Sequence, residues 1–115
     1  MIYKVEFSQI VRHKMKILKM YLTEQFGAET AQKNLKLIME SARNLAVYPQ
    51  QGIKISSIFD VDTDFRCLYV KHNYLFYYID DNKVIVSEMF DEREDFMSKL
   101  FGIKSVSESE EDSVN

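Results

Sequence analysis

The sequence predicts an α+β domain: an N-terminal strand, a helical hairpin packed on an antiparallel sheet, and a short C-terminal helix. Three observations carry this. Between Gln9 and Val47, apolar residues recur every three or four positions in two runs, the spacing of helices with one buried stripe. From Phe65 to Phe90 the chain turns to short runs of Tyr, Phe, Val and Ile divided by polar turns, which is strand chemistry. Pro49-Gln50-Gln51-Gly52 separates the two regimes.

The elements follow in order. Ile2 to Phe7 alternates, with Tyr3, Val5 and Phe7 on one face, and reads as a short first strand. Ser8 can cap a helix beginning near Gln9, because its hydroxyl can accept a free amide of the first turn. Ile10, Val11, Met15, Leu18, Tyr21 and Leu22 form its apolar stripe, with Lys14, Lys16 and Lys19 mostly off it. Gly27 breaks the helix. A second helix is expected from about Glu29 to Val47, its stripe being Ala31, Leu35, Ile38, Ala42 and Leu45. Pro49 stops it, since proline lacks a donor and clashes with the preceding turn. Asp60 to Asp64 is polar and turn-like. Strands are expected over Phe65–Val70, Tyr74–Ile79 and Val84–Phe90, the aromatic middle one being central. Asp80-Asp81-Asn82 supplies hairpin chemistry. Asp91 to Phe101 reads as a terminal helix ended by Gly102. Residues 1–103 thus form one domain, and 104–115 an acidic disordered tail.

Composition bounds the function. At 115 residues, 46% apolar and 29% charged, the chain is an ordinary globular domain. Its net charge of −3 argues against a nucleic-acid surface built on bulk positive charge. The charge is uneven: removing the four acids of Glu108–Asp112 from that −3 leaves residues 1–107 at +1. Cys67 is the sole cysteine, so no intrachain disulfide can form, and a buried, inert thiol in a reducing cytoplasm is expected. No stretch approaches the ~18 continuous apolar residues of a membrane helix. His13 and His72 stand apart, so no metal site and no cofactor is expected.

The segments together resemble the RelE/ParE toxin superfamily over Tyr3 to Ile103. The resemblance rests on the first strand leading into a Ser8-begun helix and on Pro49-Gln50-Gln51-Gly52 before the sheet. It rests further on Phe65-Arg66-Cys67-Leu68-Tyr69-Val70, Tyr74-Leu75-Phe76-Tyr77-Tyr78 and Val84-Ile85-Val86. Arg93-Glu94-Asp95-Phe96, with Leu100-Phe101, resembles the closing part of the family. The resemblance implies the toxin of a type II toxin–antitoxin, or plasmid stabilisation, module that inhibits growth. Its implied partner is a cognate antitoxin whose disordered segment wraps the toxin. Two targets are implied: DNA gyrase for ParE-like members, and the ribosome with its messenger RNA for RelE-like endoribonucleases.

RNA cleavage needs a base for the ribose hydroxyl, an acid for the leaving oxygen and cations for the phosphate. Arg66 stands where a family cation is expected, but Leu68 and Leu75 stand where others often lie. Lys99 or Phe101 falls near the family's tyrosine, Asp91 near its histidine, and Glu94 replaces a base. The pattern therefore favours a ParE-like, non-enzymatic toxin. Asp91 and Glu94 also depart from ParE-like sequences, which keeps open a third reading, a degenerate non-toxic interaction module.

Arg66 is the first candidate for function, expected to point out from an uncovered sheet face; its structural alternative is an ion pair with Asp64, Glu88 or Asp91. Arg93 is a weaker candidate, against local charge compensation by its acidic neighbours. Lys54, His72, Tyr74 and Tyr78 are candidate target-binding residues. Solvation is the alternative for Lys54 and His72, and packing for the tyrosines.

Overall fold

A computed structural model describes residues 2–102 of the chain. The proposed tail at 104–115 lies outside the described residues, as does the domain's last position, 103. β1 is Lys4–Phe7, α1 Gln9–Phe26, α2 Ala28–Arg43, β2 Ile53–Lys54, β3 Arg66–Val70, β4 Asn73–Asp80, β5 Lys83–Asp91 and α3 Phe96–Phe101. The sheet order is β1-β5-β4-β3-β2, with β4 in the middle. All neighbours are antiparallel except β1 and β5, which run parallel, so the sheet is mixed. The helical hairpin carries the chain from β1 at one edge of the sheet to β2 at the other, and the antiparallel run β2 to β5 brings it back beside β1.

Side-chain hydrogen bonds and a turn glycine set the ends of the helices. Ser8 Oγ accepts the Val11 N–H at 3.1 Å and donates to the Ser87 carbonyl at 2.9 Å, capping α1 and tying it to β5. Gly27 ends α1 and starts α2 with φ at +92°, a conformation that side chains resist. α2 ends at Arg43 rather than Val47; a 3-10 turn, Asn44–Ala46, tightens the chain before Pro49 and still buries Leu45. The expected terminal helix from Asp91 is shorter too. β5 runs through Asp91, and α3 begins only after Asp95, whose side chain accepts the Ser98 N–H. Arg93 therefore sits in the turn before α3 and does not begin the helix.

Two apolar clusters sandwich the sheet. The larger joins Val11, Met15, Ile38, Ala42 and Leu45 of the helical layer to Leu68, Leu75, Tyr77, Val84, Val86 and Met89 of the strands. A bulge at Ser87 keeps this face in phase: Tyr77 opposes Val86 and Phe76 opposes Glu88, so Val84, Val86 and Met89 all point at the helices. The second cluster fills the other face, which the sequence reading left partly open. Phe59, Phe65, Tyr74, Phe96, Leu100 and Phe101 pack there around Ile55, Phe76 and Phe90. α3 and the segment after β2 cover this face, because the even-numbered aromatics of β4 need burial as much as the odd-numbered ones.

Candidate functional site

Arg66 lies on the helix-facing side of β3, opposite Tyr77, and not on the opposite face. Its Nη1 donates to the carbonyls of Gly52 at 2.9 Å and Gln50 at 3.2 Å. None of the three acids expected to pair with it does so among the described residues: Glu88 is taken by Lys14 and Asp91 by Arg93. Tyr77 completes the arrangement. Its hydroxyl donates to the Pro49 carbonyl at 2.7 Å and accepts the Gly52 N–H at 2.8 Å. Burial raises the Tyr77 hydroxyl above its ordinary pKa, which keeps the donor protonated, while the Gly52 N–H and Arg66 act the other way. Arg66 and Tyr77 thus hold the turn that aligns β2 with β3, and Arg66 is a clamp rather than an outward-facing cation.

The remaining candidates fall in separate places. Lys54 is exposed beside Arg66 across the β2–β3 pair. Tyr74 and Tyr78 lie on the α3 face. Tyr74 stacks 5.1 Å from Tyr69 and 5.3 Å from Phe96, and Tyr78 meets Phe65 edge-on at 5.8 Å. Cys67 belongs to this layer too, and burial pushes its thiol up to about 12, so it is inert at neutral pH.

His72 and Arg93 do meet, at the rim of one cavity of about 470 Å³ between the α1–α2 tip and the strand ends. Leu18, Leu22, Phe26 and Ile38 line its apolar side, and Lys71, His72 and Arg93 lie on its polar side. His72 Nδ1 is 2.6 Å from Glu92, and Tyr69 donates to the same carboxylate at 2.9 Å. These two partners hold the Glu92 carboxyl below its ordinary range. Arg93 Nε donates to Asp91 at 2.9 Å, which lowers the Asp91 carboxyl and raises the guanidinium. Asp91 is thus paired with Arg93, while Glu92 is shared between His72 and Tyr69. Nothing local in the sequence marks Glu92 as the partner of His72 and Tyr69, because those pairings span 20 and 23 residues. Lys14 was likewise missed: it reaches Glu88, 74 residues away, at 2.7 Å.

Among the described residues no constellation of base, acid and cations converges on either sheet face. Leu68 and Leu75, at positions where RelE-like nucleases often carry cations, are buried in the larger core. Among the described residues no group of His, Cys, Asp and Glu could hold a metal ion, and no helix is long and apolar enough to cross a membrane.

A family model described as the ParE toxin of the type II toxin–antitoxin system parDE matches residues 5–96. The chain belongs to the ParE toxin family. Among solved structures it is similar to a chain of the chromosomal ParDE toxin–antitoxin system from P. aeruginosa, at 13% identity and a TM-score of 0.67. That match covers 78% of this chain and 96% of the other, and shows that the ParE fold is shared. No curated protein matches the sequence. The family match settles the RelE/ParE resemblance and makes this chain a type II toxin–antitoxin toxin.

Proposed function

We propose that this ParE-family toxin inhibits growth by binding DNA gyrase, is neutralised by a cognate antitoxin, and does not cut RNA. One observation carries the reading. The sheet face opposite the helices is filled by aromatic side chains under α3 and, among the described residues, neither face holds a catalytic set. A protein target needs only a complementary surface, which the exposed apolar residues of α1 supply. Purified gyrase supplies the test. Supercoiling should fall as the chain is added, with messenger RNA left intact in cells that express it. Unchanged supercoiling at excess toxin would remove gyrase, and new transcript ends during arrest would restore the ribonuclease reading.

A second reading is favoured by the engagement of Arg66 with main-chain carbonyls and of Arg93 with Asp91: a degenerate partner-binding module without toxicity. Growth arrest on expression, relieved by a neighbouring gene product, excludes it.

A further inference from the structure

Half of β5 has a strand on one side only, β4. β1 pairs only with Lys83 to Val86; the chain then turns into α1, and Ser87 to Asp91 runs on as an edge. The main-chain groups on this edge are satisfied by side chains instead. Ser8 donates to the Ser87 carbonyl at 2.9 Å and Lys14 to the Met89 carbonyl at 2.8 Å. The Met89 N–H donates to Glu88 at 3.0 Å and the Asp91 N–H to Glu94 at 2.9 Å. Lys14 crosses the edge to do this, with its ammonium 4.2 Å from the Phe90 ring centre. Such an edge is a template for another strand, and these plugs are partly solvated side chains that can swing away.

Its surroundings specify what would pair there. Ile17 and Tyr21 of α1 flank it, 51% and 47% exposed, on a shallow cavity that they share with Lys14 and Met89. That cavity and the 470 Å³ one have Leu18, Tyr21, Asn73, Asp91 and Arg93 in common, so one groove runs from the strand edge toward Phe26. Between Glu88 and Asp95 stand five carboxylates and one base. Even with Lys14 and Lys99, which pair with Glu88 and Glu94, and Lys71 farther along the groove, acids outnumber bases five to four.

We propose that the Ser87–Asp91 edge receives an extended segment of a partner protein as a sixth strand. Alternate side chains of that segment are apolar toward Ile17 and Tyr21, and its charges are basic. The proposal rests on the toxin reading, in which the antitoxin is that partner, and adds the mode of pairing and the sign of the partner's charge. Main-chain bonds would supply affinity and the groove specificity.

The probe is an acetylated, amidated nonapeptide alternating lysine and valine, titrated into the full-length, nitrogen-15-labelled chain. The Met89 and Asp91 amides should shift, since both must exchange a carboxylate for a peptide carbonyl. A glutamate–valine counterpart should bind at least about tenfold more weakly, and methylation of alternate peptide nitrogens should abolish the shifts. Lys14→Met, which uncovers the Met89 carbonyl, should tighten binding of the lysine peptide. Equal binding of the glutamate peptide, indifference to methylation, or shifts confined to other residues would overturn the proposal. Growth arrest and its relief are measured separately, so the toxin reading can stand while this one falls, and the reverse.

Discussion

At Gly52 a hydrogen atom is all the room there is. A Cβ there would come within 2.6 Å of the Tyr77 hydroxyl and 2.9 Å of the Cys67 carbonyl. Neither neighbour can retreat, since the hydroxyl is bonded on both sides and the carbonyl belongs to β3. Gly52→Ala is therefore expected to lower stability in urea by about 1–3 kcal/mol through overpacking. Tyr77→Phe should cost a similar ~1–3 kcal/mol, because it leaves the Gly52 N–H and the Pro49 carbonyl unpaired in a buried place. The urea midpoint measures both, and a neutral Tyr77→Phe would show that the turn is held by Arg66 alone. A second prediction at this scale concerns acid. Asp91 and Glu92 lie below their ordinary values of 3.8 and 4.5 through the bonds to Arg93, His72 and Tyr69. Burial pushes Glu94 up, but Lys99 and the Asp91 N–H outweigh it, so it too lies below 4.5. With folded values depressed, the unfolded chain takes up protons first as pH falls. The stability these carboxylates contribute is whole above about pH 5 and drains away below it. The urea midpoint should decline from there downward, and Glu94→Gln should flatten that decline. A midpoint independent of acid would mean that the pairs contribute nothing.

The turn between β3 and β4 shows where element-scale reasoning from sequence succeeds and stops. Lys71 and His72 both take positive φ, +48° and +64°, in a two-residue hairpin turn. Asn-Gly would suit that geometry, and neither lysine nor histidine does. The strands on either side were legible because their aromatic and β-branched runs are long and bounded. The Ser8 cap, the α2 stripe and the Asp81 turn were legible for the same local reasons. β2 was not, because two residues, Ile53 and Lys54, carry no periodicity and pair only because Arg66 and Tyr77 hold the turn before them. The bulge at Ser87 and the parallel β1–β5 pair were equally hidden, since both are settled by tertiary contacts. The site candidates suffered most. Arg66 was read as exposed because strand phase from Phe65 does not reveal which face the helices cover. Replacing Lys71-His72 by Asn-Gly should stabilise the hairpin by about 1 kcal/mol and abolish the His72–Glu92 contact. Thermal unfolding checks the first effect. No stabilisation would mean that the imidazole's bond to Glu92 already offsets the backbone strain.

Across the whole molecule the two apolar layers differ in depth. The helical hairpin shares eleven buried residues with the sheet, whereas the α3 side has three, with no fully buried residue on α3 itself. Charge is divided along the same line. Residues 9–43 hold seven bases against three acids, and residues 44–102 six against ten. α3 is one and a half turns long, so its own backbone bonds cannot sustain it, and Phe96, Leu100 and Phe101 must hold it by packing. It should therefore open locally, well before global unfolding. Native-state hydrogen exchange should find the Lys99 to Phe101 amides exchanging at least about a hundredfold faster than those of Phe76 and Tyr77 in the middle of the sheet, a gap of roughly 3 kcal/mol. Phe96→Ala should widen the gap without slowing or hastening exchange in β4 at neutral pH. Equal protection of α3 and β4 would mean that the short helix is part of the global folding unit. That distinction bears on function. If α3 lifts, what it uncovers is Tyr74, Phe76 and Phe90, an apolar surface suited to a protein and without the cations that RNA would need. A lifted α3 thus enlarges the apolar surface open to a protein partner.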